Sequence, residues 1–274
     1  MSTQVTKTIL LTGASGTIGR VLTPMLAARG YQLRLTDVRP FPDTVPEGAQ
    51  FFAMDIADRE AVMAAVDGVS AILHFGGVNG EHTHEAILPA NVIGTTNMYE
   101  AAHRFGARMI FASSNHTIGF HPRSRPITTQ DEFRPDGFYA ISKIYGEMLG
   151  QLYFAKHGVQ SVLMRIGSCL PRPVDVRQLS IWLSHADLER LILAALTAEN
   201  PGCAIVWGIS KNTRAWWSGD DAARIGYFPR DDAEAFAGDI APVEEHPASA
   251  HYQGGLICAV DYTRDPPYLE EDPA

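Results

Sequence analysis

Tyr139 and Lys143 are the residues whose types and spacing carry the most chemistry in this chain. They stand four apart in a helical pattern, which puts both on one face of the helix. An unperturbed phenol titrates at about pH 10 and is a poor base near neutrality. A neighbouring ammonium, or a positive charge on a bound reactant, favours the phenolate, which can then take a proton from a hydroxyl. The bland alternative is a solvent-facing tyrosine beside a solvated lysine, but lysines are few here. Ser114 ends a nearby apolar run and offers a hydroxyl to the same reacting oxygen, unless it only caps a strand end.

Such a pair needs a scaffold that delivers a reactant to it. The run Leu11-Thr12-Gly13-Ala14-Ser15-Gly16-Thr17-Ile18-Gly19 follows the apolar stretch Thr8 to Leu11 and opens onto a helical pattern, Val21-Leu22-Met25-Leu26. Strand, glycine turn and helix in that order make a phosphate cradle. Gly13 permits the tight turn, Gly16 admits a pyrophosphate to the backbone, and Gly19 lets the helix pack on the strand. The helix N-terminus adds free N–H donors and positive dipole charge. Asp37 ends the next apolar run, Gln32 to Thr36, about 20 residues beyond the glycines, where a carboxylate holds the ribose hydroxyls of NAD and repels the 2′-phosphate of NADP. The cofactor expected is therefore NAD.

Further along, apolar runs alternate with helical patterns, which predicts an α/β fold with a doubly wound, Rossmann-type parallel sheet. Strands are expected at Gln50 to Ala53, Ala71 to Phe75, Met109 to Ala112, Ser161 to Ile166 and Ala204 to Trp207. Helices are expected from Asp58 to Val66, over a long stretch ending at Phe105 with Pro89 near a start or kink, from Phe138 to His157, and from Ser184, whose hydroxyl caps a helix with Asp187 three positions on. The ligand crevice of such a sheet opens at the carboxyl ends of the strands, where Ser114 and Tyr139 fall. Residues 1–168 are read as the dinucleotide-binding core and 169–274 as a small substrate-binding part packed on it, one compact unit overall. The tail is expected to be irregular and its acidic end frayed.

Composition narrows the partners. The 274 residues carry a net charge of −9, which argues against nucleic-acid and anionic-membrane surfaces, because both need basic patches. No apolar stretch is long enough to span a membrane, and Met1 to Lys7 is polar and short, unlike a leader. Cys169, Cys203 and Cys258 have no metal-ligand spacing and read as reduced thiols of a cytoplasmic protein. No metal site is expected. Cys169 has no evident histidine base and is not read as a nucleophile. Trp216 and Trp217 read as core or interface anchors.

The set Gly13, Gly16, Gly19, Asp37, Ser114, Tyr139 and Lys143 resembles the extended branch of the short-chain dehydrogenase/reductase superfamily. That resemblance implies a catalytic triad of Tyr139, Lys143 and Ser114. It also implies an NAD site drawn from Gly13, Ser15, Gly16, Thr17, Ile18 and Gly19, with Asp37, Asp55 and Ile56 on the adenosine side. Phe75, Gly76, Gly77 and Ile166 would complete it beside Tyr139 and Lys143. It further makes His74 part of the cofactor-lining strand end and Asn91 a structural helix residue. The segments Phe111 to Gly119, Arg134 to Tyr139, Arg165 to Cys169 and Val206 to Gly208, with Trp182-Leu183-Ser184, Trp216-Trp217 and Gln253-Gly254-Gly255, are similar to the uronate dehydrogenases over nearly the whole chain. This narrower resemblance implies oxidation of glucuronate or galacturonate at the anomeric carbon to an aldarolactone. Ser114, Asn115, His116 and Ser168 would contact the sugar, and Arg177 its carboxylate. Arginine suits that task through its fork of donors, although Arg177 on its own reads as a solvated loop residue and His116 as a satisfied strand-end histidine. The pattern is broken at Asn79, where a serine is usual. A nucleotide-sugar epimerase or dehydratase of the same superfamily is the alternative enzyme, but Asn115 and His116 stand where a dehydratase needs acids. A non-enzymatic NAD sensor would not need the Tyr139–Lys143 pair. Exposed apolar helix faces in parallel-sheet enzymes favour a homo-oligomer.

Overall fold

A computed structural model describes residues 7–264 of the chain. The expected fraying and the acidic end of the tail lie outside the described residues. Seven parallel strands form one sheet: β1 (Thr8–Thr12), β2 (Gln32–Asp37), β3 (Ala49–Ala53), β4 (Ala71–His74), β5 (Arg108–Ser114), β6 (Ser161–Ile166) and β7 (Cys203–Gly208). Their order is β7-β6-β5-β4-β1-β2-β3, so the chain reverses direction across the sheet between β1 and β4. The expected doubly wound α/β class is the one observed. β4 and β6 are buried along their whole length, as strands covered on both faces must be.

Two apolar layers sandwich the sheet. On one face α1 (Thr17–Ala28) and α5 (His185–Thr197) bury Leu22, Leu26, Leu188 and Leu191 against Leu11, Leu35 and Val162. On the other, α2 (Arg59–Val66), α3 (Thr95–Phe105) and α4 (Phe138–His157) bury Val62, Met98 and Leu149 against Leu10, Ile72 and Phe111. The caps fall where the sequence placed them. Asp58 accepts from the N–H groups of Glu60 and Ala61, and Ser184 from that of Asp187. α3 and α4 both end on a left-handed glycine, Gly106 and Gly158.

Two details differ from the sequence reading. The long helix expected up to Phe105 is divided: a turn at His84–Ile87 leads into a π-helical segment, Leu88–Gly94, and only then into α3. Pro89, which has no N–H to give, sits in the first turn of the π segment. The tail carries short helices at Pro247–His251 and Gly255–Ala259 rather than irregular chain. After residue 168 the chain adds α5 and β7 to the layers and the sheet. Trp217 stacks on Trp207 at 4.8 Å within a small cluster that includes Ile118, Ile127 and Ile181. Its partners make it a core residue.

Candidate active site

The carboxyl ends of the strands open into a cavity of about 720 Å³. Its floor at one end is the turn between β1 and α1. Gly13 has φ +69° there, and a Cβ on it would lie 2.6 Å from the Phe75 carbonyl oxygen; a Cβ on Gly19 would overlap the Gly13 carbonyl. Only glycine fits both positions, so α1 starts hard against the sheet with Gly16, Thr17 and Ile18 along the cavity. Asp37 lies at the end of β2, its carboxylate accepting from the N–H groups of Ser15 at 3.1 Å and Arg39 at 3.0 Å. Ser15 and His74 are the expected cofactor-lining residues that do not line the cavity; the Ser15 hydroxyl donates to the Arg39 carbonyl at 3.0 Å. Asp55 and Ile56 line the wall beyond β3, and Phe75, Gly76 and Gly77 the wall beyond β4. His74 points away from it, hydrogen-bonded at 2.8 Å and 3.2 Å to the hydroxyls of Thr12 and Thr95.

Tyr139, Lys143, Ser114 and Ile166 meet in the middle of the cavity. β5 runs two residues past its expected end, so Ser114 is its last residue and is buried beside Tyr139. Burial raises the Tyr139 phenol to about 12, opposed by its hydrogen bond with Ser114. Burial lowers the Lys143 ammonium to about 8. The Lys143 Nζ lies 5.5 Å from the centre of the Tyr139 ring. Desolvation therefore outweighs the expected pull of the lysine towards the phenolate in the protein alone.

The far end of the cavity is lined by Asn79, Asn115, His116, Ser168 and Arg177. Ser168 lies in a two-residue strand paired with Trp182-Leu183. Arg177 donates through Nε to the Gln253 carbonyl at 2.7 Å. With the Asn115 amide turned so that its nitrogen donates to the Ile166 carbonyl, its oxygen accepts from Arg177 Nη2 at 2.9 Å. Both hydrogen-bond partners are neutral; the carboxylates of Asp175 and Asp136 act on Arg177 through their charge, with no ion pair to it among the described residues. Desolvation pushes this guanidinium down to about 10. His116 pairs through Nδ1 with Asp136 at 2.7 Å. Cys169 also lines the cavity, with its thiol pushed up to about 12 by burial, far from a nucleophilic thiolate.

Residues 9–235 match the NAD dependent epimerase/dehydratase family. The chain belongs to that family. Within it, the uronate dehydrogenase of Pseudomonas putida is 42% identical over 262 residues, covering 94% of this chain and 97% of the relative. The crystal structure of uronate dehydrogenase from Agrobacterium tumefaciens superposes with a TM-score of 0.88 at 42% identity, covering 92% of this chain and 97% of the other. A point mutant of that enzyme complexed with NAD gives 0.86 at 41% identity, with the same coverage.

Three residues of this family member that bear on the site were not expected from its sequence. Glu81 reaches from the loop after β4 to accept from the N–H groups of Phe138 at 2.8 Å and Tyr139 at 3.1 Å, capping α4 and fixing the Asn79 loop beside it. Asp136 holds His116, and Gln253 holds Arg177. Asn91, expected to be structural, clamps the same region: its amide bonds both the N–H and the carbonyl of Val78 and donates to Ser142, whose hydroxyl donates to the Tyr139 carbonyl.

Proposed function

We propose that this chain oxidises a hexuronic acid, D-glucuronate or D-galacturonate, at C1 with NAD, giving the aldarolactone. The observation that carries the substrate class is Arg177. A desolvated guanidinium hydrogen-bonded only to neutral groups, which the charges of Asp175 and Asp136 offset less than burial costs, is completed by an anion at the far end of the cavity that holds Tyr139. A sugar carboxylate does so through two parallel hydrogen bonds.

The glycine cradle and the Asp37 carboxylate fit NAD, with Gly13, Gly16 and Gly19 admitting the diphosphate and Asp37 the ribose hydroxyls. Bound NAD supplies the hydride acceptor. Tyr139 takes the proton of the anomeric hydroxyl, and Ser114 hydrogen-bonds the same oxygen. Lys143 contributes its charge beside the phenol, easing the deprotonation that burial opposes. Ser168, Asn115, His116 and Asn79 surround the sugar hydroxyls. In this reading the cofactor lies over residues up to 168, and the segments after 168 close the sugar end. The chain works in the cytoplasm as a homo-oligomer, with α4 meeting a second copy.

The decisive test mixes the protein with NAD and glucuronate or galacturonate and follows reduced-nicotinamide absorbance. Rapid reduction with the uronates and little with glucose or galactose is expected. Tyr139→Phe should cut the rate by at least about 100-fold while NAD still binds. Equal rates with neutral sugars would remove Arg177 from the substrate, and a Tyr139→Phe variant at full rate would remove the base.

A further inference from the structure

Asp136 is buried in a way that the proposed reaction leaves unexplained. Its side chain has no exposure, and its Oδ1 has no hydrogen-bond partner among the described residues. Its Oδ2 lies 2.7 Å from His116 Nδ1, with the Cys258 thiol at 3.8 Å as a weak donor. The niche that holds this carboxylate exists because two glycines wall it. A Cβ on Gly119 or on Gly254 would overlap Oδ2. A buried carboxylate with one strong hydrogen bond is unfavourable for folding alone. The fold nonetheless brings three separate segments together to house it.

What it gains is control over one ring. An ionised carboxylate only accepts, so the proton of neutral His116 must sit on Nδ1. Nε2 is then left with its lone pair. The ring lines the cavity, edge to face with Tyr139 at a centroid distance of 6.1 Å. With Nδ1 turned to Asp136, the ring offers the substrate an acceptor and never, while neutral, a donor.

We propose that Asp136 is a positioning residue that fixes His116 as its Nδ1–H tautomer, so that Nε2 accepts a hydrogen bond from a hydroxyl of the sugar acid. The sugar-acid part of this statement rests on the function proposed above. The same arrangement gives the C-terminal segment a role. Gln253 carries Arg177 on its carbonyl, and the next residue, Gly254, walls Asp136, so one short segment sets the carboxylate-binding and the hydroxyl-binding groups together.

The tautomer is read directly by two-bond nitrogen–proton correlation spectra of protein labelled with ¹⁵N-histidine at pH 8, where an ordinary imidazole is neutral. The His116 signals are assigned by their loss in His116→Gln. The wild-type chain is expected to show Nδ1–H. Asp136→Asn keeps the shape but lets an amide donate to Nδ1, and should move the population towards Nε2–H. Its kcat/KM for uronate should fall 10- to 100-fold with NAD affinity unchanged, as when an orienting partner is lost. Gly254→Ala keeps the carboxyl group in the chain but puts a Cβ where its Oδ2 lies, so it should push the carboxylate off Nδ1 and give the same tautomer change. An Nε2–H ring in the wild type, or Asp136→Asn with kcat/KM within twofold of wild type, overturns the proposal. Should the wild type oxidise no uronate, the substrate reading fails instead, and the tautomer alone decides the role of Asp136.

Discussion

Arg177 separates a binding role from a structural one because its two roles would be lost differently. Its hydrogen bonds to Gln253 and Asn115 aim the guanidinium without neutralising it. Arg177→Ala should therefore raise KM for glucuronate about 100-fold, the effect of losing a charge-assisted pair, while kcat changes far less. The slow rate with a neutral sugar should not change. Equal loss with charged and neutral sugars would make Arg177 a support of the loop and not a ligand of the carboxylate. The role proposed for it was not readable from its own neighbourhood in the chain, since nothing near residue 177 distinguishes it from a solvated arginine. Gly13, Gly16, Gly19, Asp37, Tyr139 and Lys143 were readable, because their chemistry is set by spacing within one turn, strand or helix. Glu81, Asp136 and Gln253 were not. Their partners lie 57, 20 and 76 residues away, and only the fold brings them within reach.

The elements were legible where periodicity and caps agree, as in α2 and α5 with Asp58 and Ser184 at their starts. The π-helical segment before α3 was not, because one extra residue per turn leaves an apolar pattern that still resembles a helix. It matters because Asn91 lies in it and reaches Val78 and Ser142 from there. α4 carries a second message. One face buries Tyr139, Ser142 and Lys143, while Ile141, Met148 and Leu152 stay exposed at helical spacing. Packing these against the same face of another copy removes apolar surface from water and leaves the face with Tyr139 and Lys143 turned inward. Light scattering on a sizing column should give a mass of at least two chains. Met148→Glu with Leu152→Glu should release single chains that keep their helical circular dichroism. A wild-type monomer at micromolar concentration would sink the homo-oligomer.

At the scale of the molecule, the same burial that builds the site sets its response to acid. His74 lies inside the sheet between β1 and β5, its ring tilted against that of Phe111, and its ring nitrogens face only the hydroxyls of Thr12 and Thr95. Burial, and secondarily the charge of Lys143, lower its pKa to about 3. The unfolded chain protonates this histidine near 6.5, so between about 6.5 and 3 the unfolded state holds a proton that the folded state refuses. The contribution of His74 to stability is whole above that window and is lost as the pH falls through it, by up to about 1.4 kcal/mol per pH unit. His74→Gln keeps polar groups for both threonines and cannot be protonated. Melting temperatures measured from pH 7 to 4 should fall more steeply for the wild type than for His74→Gln, with the two curves converging or crossing towards the acid end. Parallel curves would mean that the sheet admits the charged ring. Because Thr12 also accepts from the N–H of Gly76, a sheet that opened to admit that charge would disturb the cofactor-lining turn before it unfolded. Loss of NAD affinity should then precede loss of structure on the acid side.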